Sequence, residues 1–184
     1  KRLREILKCV DKRSRVTKDA EITLEANPDS AGDWKALRAL RKAGFNRISL
    51  GMQSADDAEL REIGRIHSMD QVRQAVDAAR KARFDNLSLD LIYGLPHQTA
   101  EHWMENLAAA VALAPEHLSC YGLKVEEGTP LYAVRDSAGL PGDEEQADMY
   151  LQTVEFLKQY GYVQYEISNF AKPGFESRHN LKYW

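Results

Sequence analysis

Hydrophobic positions along this chain switch repeatedly between two periods. Apolar residues recurring every three or four positions predict helix, and alternating ones predict strand. Residues 1–11 place Leu3, Ile6, Leu7 and Val10 on one helical face. Residues 21–26 (EITLEA) alternate and are stopped by Asn27-Pro28, which predicts a short strand. Asp29 and Ser30 stand as N-caps for a helix carrying Trp34, Leu37, Leu40 and Ala43, with Gly44 at its end. Residues 46–53 (NRISLGMQ) read as the next strand, followed by a short helix over 56–63 and a longer one over 70–83. Residues 86–93 (NLSLDLIY) form a third predicted strand, closed by Gly94-Leu95-Pro96. Thr99 caps a helix running to Ala112, and 117–124 is a fourth strand. Beyond Pro130 the spacing predicts a long amphipathic helix over 143–160 and one more strand over 162–168 (YVQYEIS). The tail, 169–184, is polar and aromatic without clear period.

Strands separated by helices imply parallel pairing, because parallel neighbours need a crossover connection. The strand–helix units recur at roughly 30–40 residues, as βαβ repeats do. The fold class is therefore α/β. A doubly wound sheet and an arc of a β/α barrel fit this pattern equally.

Composition narrows the function classes. A 43% hydrophobic content over 184 residues is enough for one buried core. The formal net charge of −3 lacks the basic excess of a general phosphate-backbone binder, so no nucleic-acid partner is expected. No apolar run approaches the ~20 residues needed to span a bilayer. The charged opening is unlike a signal peptide. Cys9 and Cys120 are far apart in sequence and make no metal-ligand cluster, which fits a reducing cytoplasm. The chain starts without Met inside a predicted helix and reads as a fragment.

Candidate chemistry lies where polar residues interrupt the strands. Glu25 ends ITLE, Gln53 ends RISLGMQ, and Asp90 sits within LSLDLIYG. Ligands of parallel sheets and barrels bind at the carboxyl ends of the strands, so these three groups would converge on one site. The alternative is that the carboxylates cap helices or pair with a buried arginine, since burying them unsatisfied is costly.

Long strings then carry a resemblance. TLEANPDS, GFNRISLGMQSADDAELREIGRIHS, LDLIYGLPHQT, EEGTPLY and YEISNFAKPGFESRHNLKYW resemble the successive motifs of the oxygen-independent coproporphyrinogen III oxidase family, a radical S-adenosylmethionine (SAM) family. The His-Asn-x-x-Tyr-Trp ending, 179–184, is more similar to that family's heme-chaperone branch than to its oxidase branch. The resemblance implies a partial β/α (TIM-like) barrel over 1–142, incomplete at its start. Residues 143–184 would add a helix, an extra strand and the beginning of a C-terminal region. It implies chemistry that begins with a [4Fe–4S] cluster cleaving SAM, with heme as cargo for acceptor apo-proteins.

Carried over residue by residue, Glu25, Gln53, Arg65 and Asp90 match positions that contact SAM. A guanidinium can grip a carboxylate in two bonds, which suits Arg65; on residue type alone a surface ion pair with Glu62 or Asp70 is the simpler reading. His179 matches a candidate axial heme ligand, or else a structural histidine fixing the tail. His67, His97, His102 and His117 are scattered and are expected in loops or near helix starts. The CxxxCxxC loop and the glycine-rich strand end of the family are not in this sequence, and neither Cys9 nor Cys120 can replace them. No metal site and no activity are expected of these residues alone, and no catalytic residue is assigned. The alternatives are coproporphyrinogen decarboxylation and a cluster-free barrel enzyme. An unprotected edge on the first strand implies possible self-association.

Overall fold

Alternation along the strands sorts the sheet into an apolar and a polar face. The structure is a computed structural model that describes residues 2–183. Lys1, at the start of the first predicted helix, and Trp184, at the end of the His-Asn-x-x-Tyr-Trp motif, lie outside the described residues. Four parallel strands follow chain order: β1 (Thr23–Ala26), β2 (Arg47–Gln53), β3 (Leu87–Tyr93) and β4 (His117–Gly122). Two short strands, β5 (Val163–Gln164) and β6 (Asn169–Ala171), extend the sheet beyond β4 in antiparallel steps.

On one face stand Leu24, Ile48, Leu50, Met52, Leu87, Leu89, Leu91, Leu118 and Cys120, all buried. They pack beneath the crossover helices α2 (Trp34–Ala43), α4 (Met69–Lys81) and α5 (Ala100–Ala112), and beneath α7 (Asp143–Gln159). Burying a leucine-sized side chain contributes about 1.5–3 kcal/mol, so this layer is the main source of stability. Trp103 of α5 is fully buried and donates its indole N–H to Thr153 of α7 at 2.7 Å, which joins the two helices. The opposite face carries Thr23, Glu25, Arg47, Ser49, Asp90, Ser119 and Tyr121 and lines a cavity. A doubly wound sheet would cover both faces with helices and reverse its strand order at a switch point. Helices on one face and strands in chain order make this an arc of a β/α barrel.

The termini of the predicted elements shift by a few residues, and some readings are corrected. The N-cap of α2 is Asp33, whose carboxylate accepts from the Lys35 and Ala36 N–H groups. Asp29 and Ser30 instead belong to a 3₁₀ turn, Pro28–Ser30. Helix α1 (Arg2–Ser14) buries none of its described residues. Leu7 packs on the core, but Leu3, Ile6 and Val10 stay exposed, so the expected apolar face is mostly uncovered. The single strand expected over 162–168 is a hairpin. Tyr165 N–H donates to Asn169 O, turning the chain back to form β6 from the supposedly irregular tail. His67 and His117 are buried, and His117 opens β4 on the polar face. Two short helices, α3 (Asp57–Glu62) and α6 (Pro130–Val134), complete the order.

Candidate functional site

The carboxyl ends of β1, β2 and β3 open onto a cavity of about 950 Å³. Glu25, Gln53, Arg65 and Asp90 all line it, with Asn27 and Tyr121 beside them. Thus the structure brings together the four residues that the sequence singles out for one ligand. A second cavity, about 720 Å³, shares Glu25, Ser49, Asp90 and Tyr121 with the first and is closed by residues 177–180 and Lys182. His179 lies on this second wall, exposed, with its ring edge-on to Tyr183 and its Nε2 3.4 Å from the Tyr183 hydroxyl.

Local backbone geometry positions two of the four, Gln53 and Arg65. The β2–β3 register slips between Gly51 and Gln53, and Gln53 adopts a left-handed φ of 66°. A non-glycine residue there carries strain, which often marks a functional position. The Gln53 amide folds back over Gly51, where an added Cβ would lie 2.7 Å from Gln53 Nε2. Arg65 follows Gly64 and donates its backbone N–H to Leu60 O at 2.8 Å. Two residues on, the buried His67 sets Nε2 3.1 Å from Met52 O, fixing the loop that carries Arg65 against β2. The expected pairing of Arg65 with Glu62 or Asp70 is not formed. Asp70 pairs with Arg73 at 2.8 Å, and Glu62 lies near His97.

Buried polar contacts that the sequence reading did not single out brace these loops. The Glu59 carboxylate accepts from Ser54 Oγ at 2.6 Å and from Gln98 Nε2 and Asn106 Nδ2 at 3.0 Å each. Gln98 in turn accepts from the Gly94 N–H at 2.9 Å. The segments following β2 and β3 are therefore tied together through Glu59 and Gln98.

Asp90 accepts from Ser49 Oγ at 3.0 Å and from Ser88 Oγ at 3.4 Å. Burial raises its carboxyl above the usual range, while the Ser119 and Ser49 hydroxyls and the Arg47 charge oppose that rise. His117 places Nδ1 2.8 Å from Ser88 Oγ and Nε2 2.7 Å from Tyr165 OH. Burial, and then Arg47, lower its pKa to about 3, so the ring is neutral at physiological pH. Arg47, 5% exposed, and His117 are charged or titratable groups of the site that the sequence reading left unassigned. Their only signal is the alternation in RISLGMQ and HLSCYG.

The donor set fits SAM. Arg65 is a cation without an ion-pair partner among the described residues, and Glu25 is an exposed carboxylate. Gln53 and Asp90 supply further polar groups on the same wall. The set does not fit an iron–sulfur cluster. Among the described residues no three His, Cys, Asp or Glu side chains are grouped to hold a metal. Cys9 is exposed on α1, and burial pushes the Cys120 thiol pKa far upward, away from the thiolate a cluster needs. Among the described residues no helix is long and apolar enough to cross a membrane.

The family profile of the radical SAM superfamily matches residues 1–110. The chain belongs to the radical SAM superfamily. It is 41% identical over 186 residues to the heme chaperone HemW of Bacillus subtilis, covering 98% of this chain and 49% of that protein. Over 184 residues it is 41% identical to the heme chaperone HemW of Synechocystis, covering 99% of this chain and 44% of the relative. It spans about half the length of these curated relatives. Among solved structures, the radical SAM enzyme coproporphyrinogen III oxidase (HemN) from Escherichia coli superposes with a TM-score of 0.83 at 28% identity, over 98% of this chain and 42% of the oxidase. A radical SAM fold accounts for the barrel arc and for a ligand cavity at the carboxyl ends of its strands.

Proposed function

We propose that this chain is the barrel segment of a radical SAM heme chaperone, which binds heme and delivers it to acceptor apo-proteins. The observation that carries the reading is the near-complete alignment with heme chaperones at 41% identity. The cavity supports a SAM site within it. Arg65 would take the SAM carboxylate, Glu25 would accept from its ammonium, and Gln53 and Asp90 would bond its remaining polar groups. When bound at a reduced [4Fe–4S] cluster, SAM supplies a carbon radical. Cluster ligands would come from outside these residues.

His179 is proposed as an axial heme ligand. Its place on the cavity wall, with an exposed ring, supports that role. A second reading, oxidative decarboxylation of coproporphyrinogen, is favoured by the structural match to the oxidase at 28% identity. We place the protein in the cytoplasm, because both cysteines are unpaired and suit a reducing compartment. Self-association through the outer edge of β1, bonded on one side only among the described residues, belongs to the same proposal.

The test uses the intact protein, titrated anaerobically with SAM and separately with heme. Arg65→Met is expected to weaken SAM binding and leave heme binding intact. His179→Ala is expected to alter the Soret band and leave SAM binding intact. Unchanged binding of both ligands in both variants would overturn the assignments.

A further inference from the structure

The polar face of the sheet buries one guanidinium, that of Arg47, in a cavity wall whose carboxylates, Glu25 and Asp90, it does not pair with. Arg47 opens β2, is 5% exposed, and lines the cavity that also contains His179. Its Nε is buried without a hydrogen-bond partner, and the guanidinium makes no ion pair among the described residues. Two of the carboxylates on the same wall direct their hydrogen bonds elsewhere, although the Arg47 charge still acts on Asp90. Asp90 accepts from Ser49 and Ser88, and Glu21 accepts the backbone N–H groups of Arg178 and His179. Arg178, on the same wall, is by contrast held by Asp19. His117, close enough for Arg47 to depress its pKa, is neutral and offers no counter-charge.

A buried cation without a directly bonded ion-pair partner is costly, and a ligand carboxylate that pairs with it offsets that cost. A planar guanidinium fork matches a carboxylate in two parallel hydrogen bonds. Glu25 and Asp90 on the same wall would repel a doubly charged phosphate more than a singly charged carboxylate. The cavity volume of about 720 Å³ is within the span of small-molecule sites.

Resting on the heme reading above, we infer that Arg47 binds a propionate carboxylate of heme, with the macrocycle in the cavity between the polar face of β1–β4 and residues 177–180. Arg47 then anchors one edge of the cargo while His179 approaches the iron from the same cavity. The SAM carboxylate is a separate group and goes to Arg65.

The intact protein is titrated anaerobically with heme and with heme dimethyl ester, in which both propionates are esterified, and binding is followed in the Soret region. Wild-type protein is expected to bind heme about ten- to a hundredfold more tightly than the ester. Arg47→Met should lose that preference, and Arg47→Lys, which keeps charge and stem, should retain part of it. Because the ester comparison uses wild-type protein, the answer does not depend on whether a variant folds. Equal wild-type affinity for heme and ester would overturn the inference alone, as would an undiminished preference in Arg47→Met. So would loss of SAM binding in place of heme binding in that variant. Absence of any heme binding by the wild type would overturn it together with the heme reading.

Discussion

His117 Nε2 lies 2.7 Å from the Tyr165 hydroxyl, and this contact ties the polar face of the sheet to the C-terminal segment. The Tyr165 oxygen also accepts from the Ser177 N–H at 3.3 Å and from Asn180 Nδ2 at 3.2 Å. With both lone pairs engaged, its own proton goes to His117 Nε2. The neutral ring then carries its proton on Nδ1 and donates to Ser88, whose hydroxyl donates to Asp90 Oδ1 at 3.4 Å. A directed hydrogen-bond chain therefore runs from the residues flanking His179 to the carboxylate of the candidate SAM site.

Burial of His117, reinforced by the Arg47 charge, makes stability pH-dependent. The folded-state pKa of His117, about 3, is below its ordinary 6.5, so the unfolded chain takes up the proton first. The contribution is fully present above pH 6.5 and is lost progressively as the pH falls toward 3, by at most about 1.4 kcal/mol per pH unit. Tyr165→Phe should cost about 1–3 kcal/mol at neutral pH by stranding its partners. Urea unfolding midpoints of wild-type and His117→Asn intact protein between pH 3 and 8 check both; the same pH dependence in the two proteins would mean that His117 takes up its proton as readily folded as unfolded.

Asp90 has the opposite sign. Burial raises its pKa, so ionisation opposes folding and its stabilising effect fades as the pH climbs above the ordinary carboxylate range. Asp90→Asn is therefore expected to leave the protein as stable as wild type or more so at pH 7, while weakening SAM binding. Thermal melts paired with SAM titration measure this. A strongly destabilised variant with unchanged SAM affinity would make Asp90 a structural residue.

Gly51→Ala tests how Gln53 is aimed. The new methyl would meet the Gln53 amide at 2.7 Å and push it out of the cavity, with the core face of β2 untouched. SAM affinity should fall about tenfold or more, with little change in melting temperature. Equal affinity in the two proteins would show that Gln53 makes no contact with SAM.

An edge strand gives a further expectation. Among the described residues β1 is bonded only to β2, and it contains neither proline nor lysine to discourage pairing. The isolated 184-residue polypeptide should elute in size-exclusion chromatography above its 20.9 kDa monomer mass. A monodisperse monomer at tens of micromolar would contradict an open edge.

Alternation made the four parallel strands legible, because one face of each packs under helices and is uniformly apolar. The same alternation misled at 162–168, where YVQYEIS keeps period two while Tyr165 N–H turns back to Asn169 O. Helix α1 misled in another way, since its apolar stripe is a helix signal whether or not anything covers it. Glu25, Gln53 and Asp90 stood out because a polar residue near the carboxyl end of a strand has few structural uses. Arg47 and His117 did not, because a polar residue at the start of a strand reads the same whether it faces solvent or a barrel interior. Only the placement of the crossover helices on the other face of the sheet distinguishes the two. Arg65 was reached through family motifs and not through spacing, because the loop that fixes it depends on the buried His67–Met52 contact.

The most direct test of the central claim is a single-turnover comparison with the intact protein under anaerobic, SAM-supplied conditions. Heme-loaded protein is mixed with an apo-hemoprotein while a parallel sample receives coproporphyrinogen. The chaperone account predicts that the Soret spectrum converts to that of the acceptor and that coproporphyrinogen is recovered unchanged. Decarboxylated porphyrinogen together with no movement of heme would contradict it.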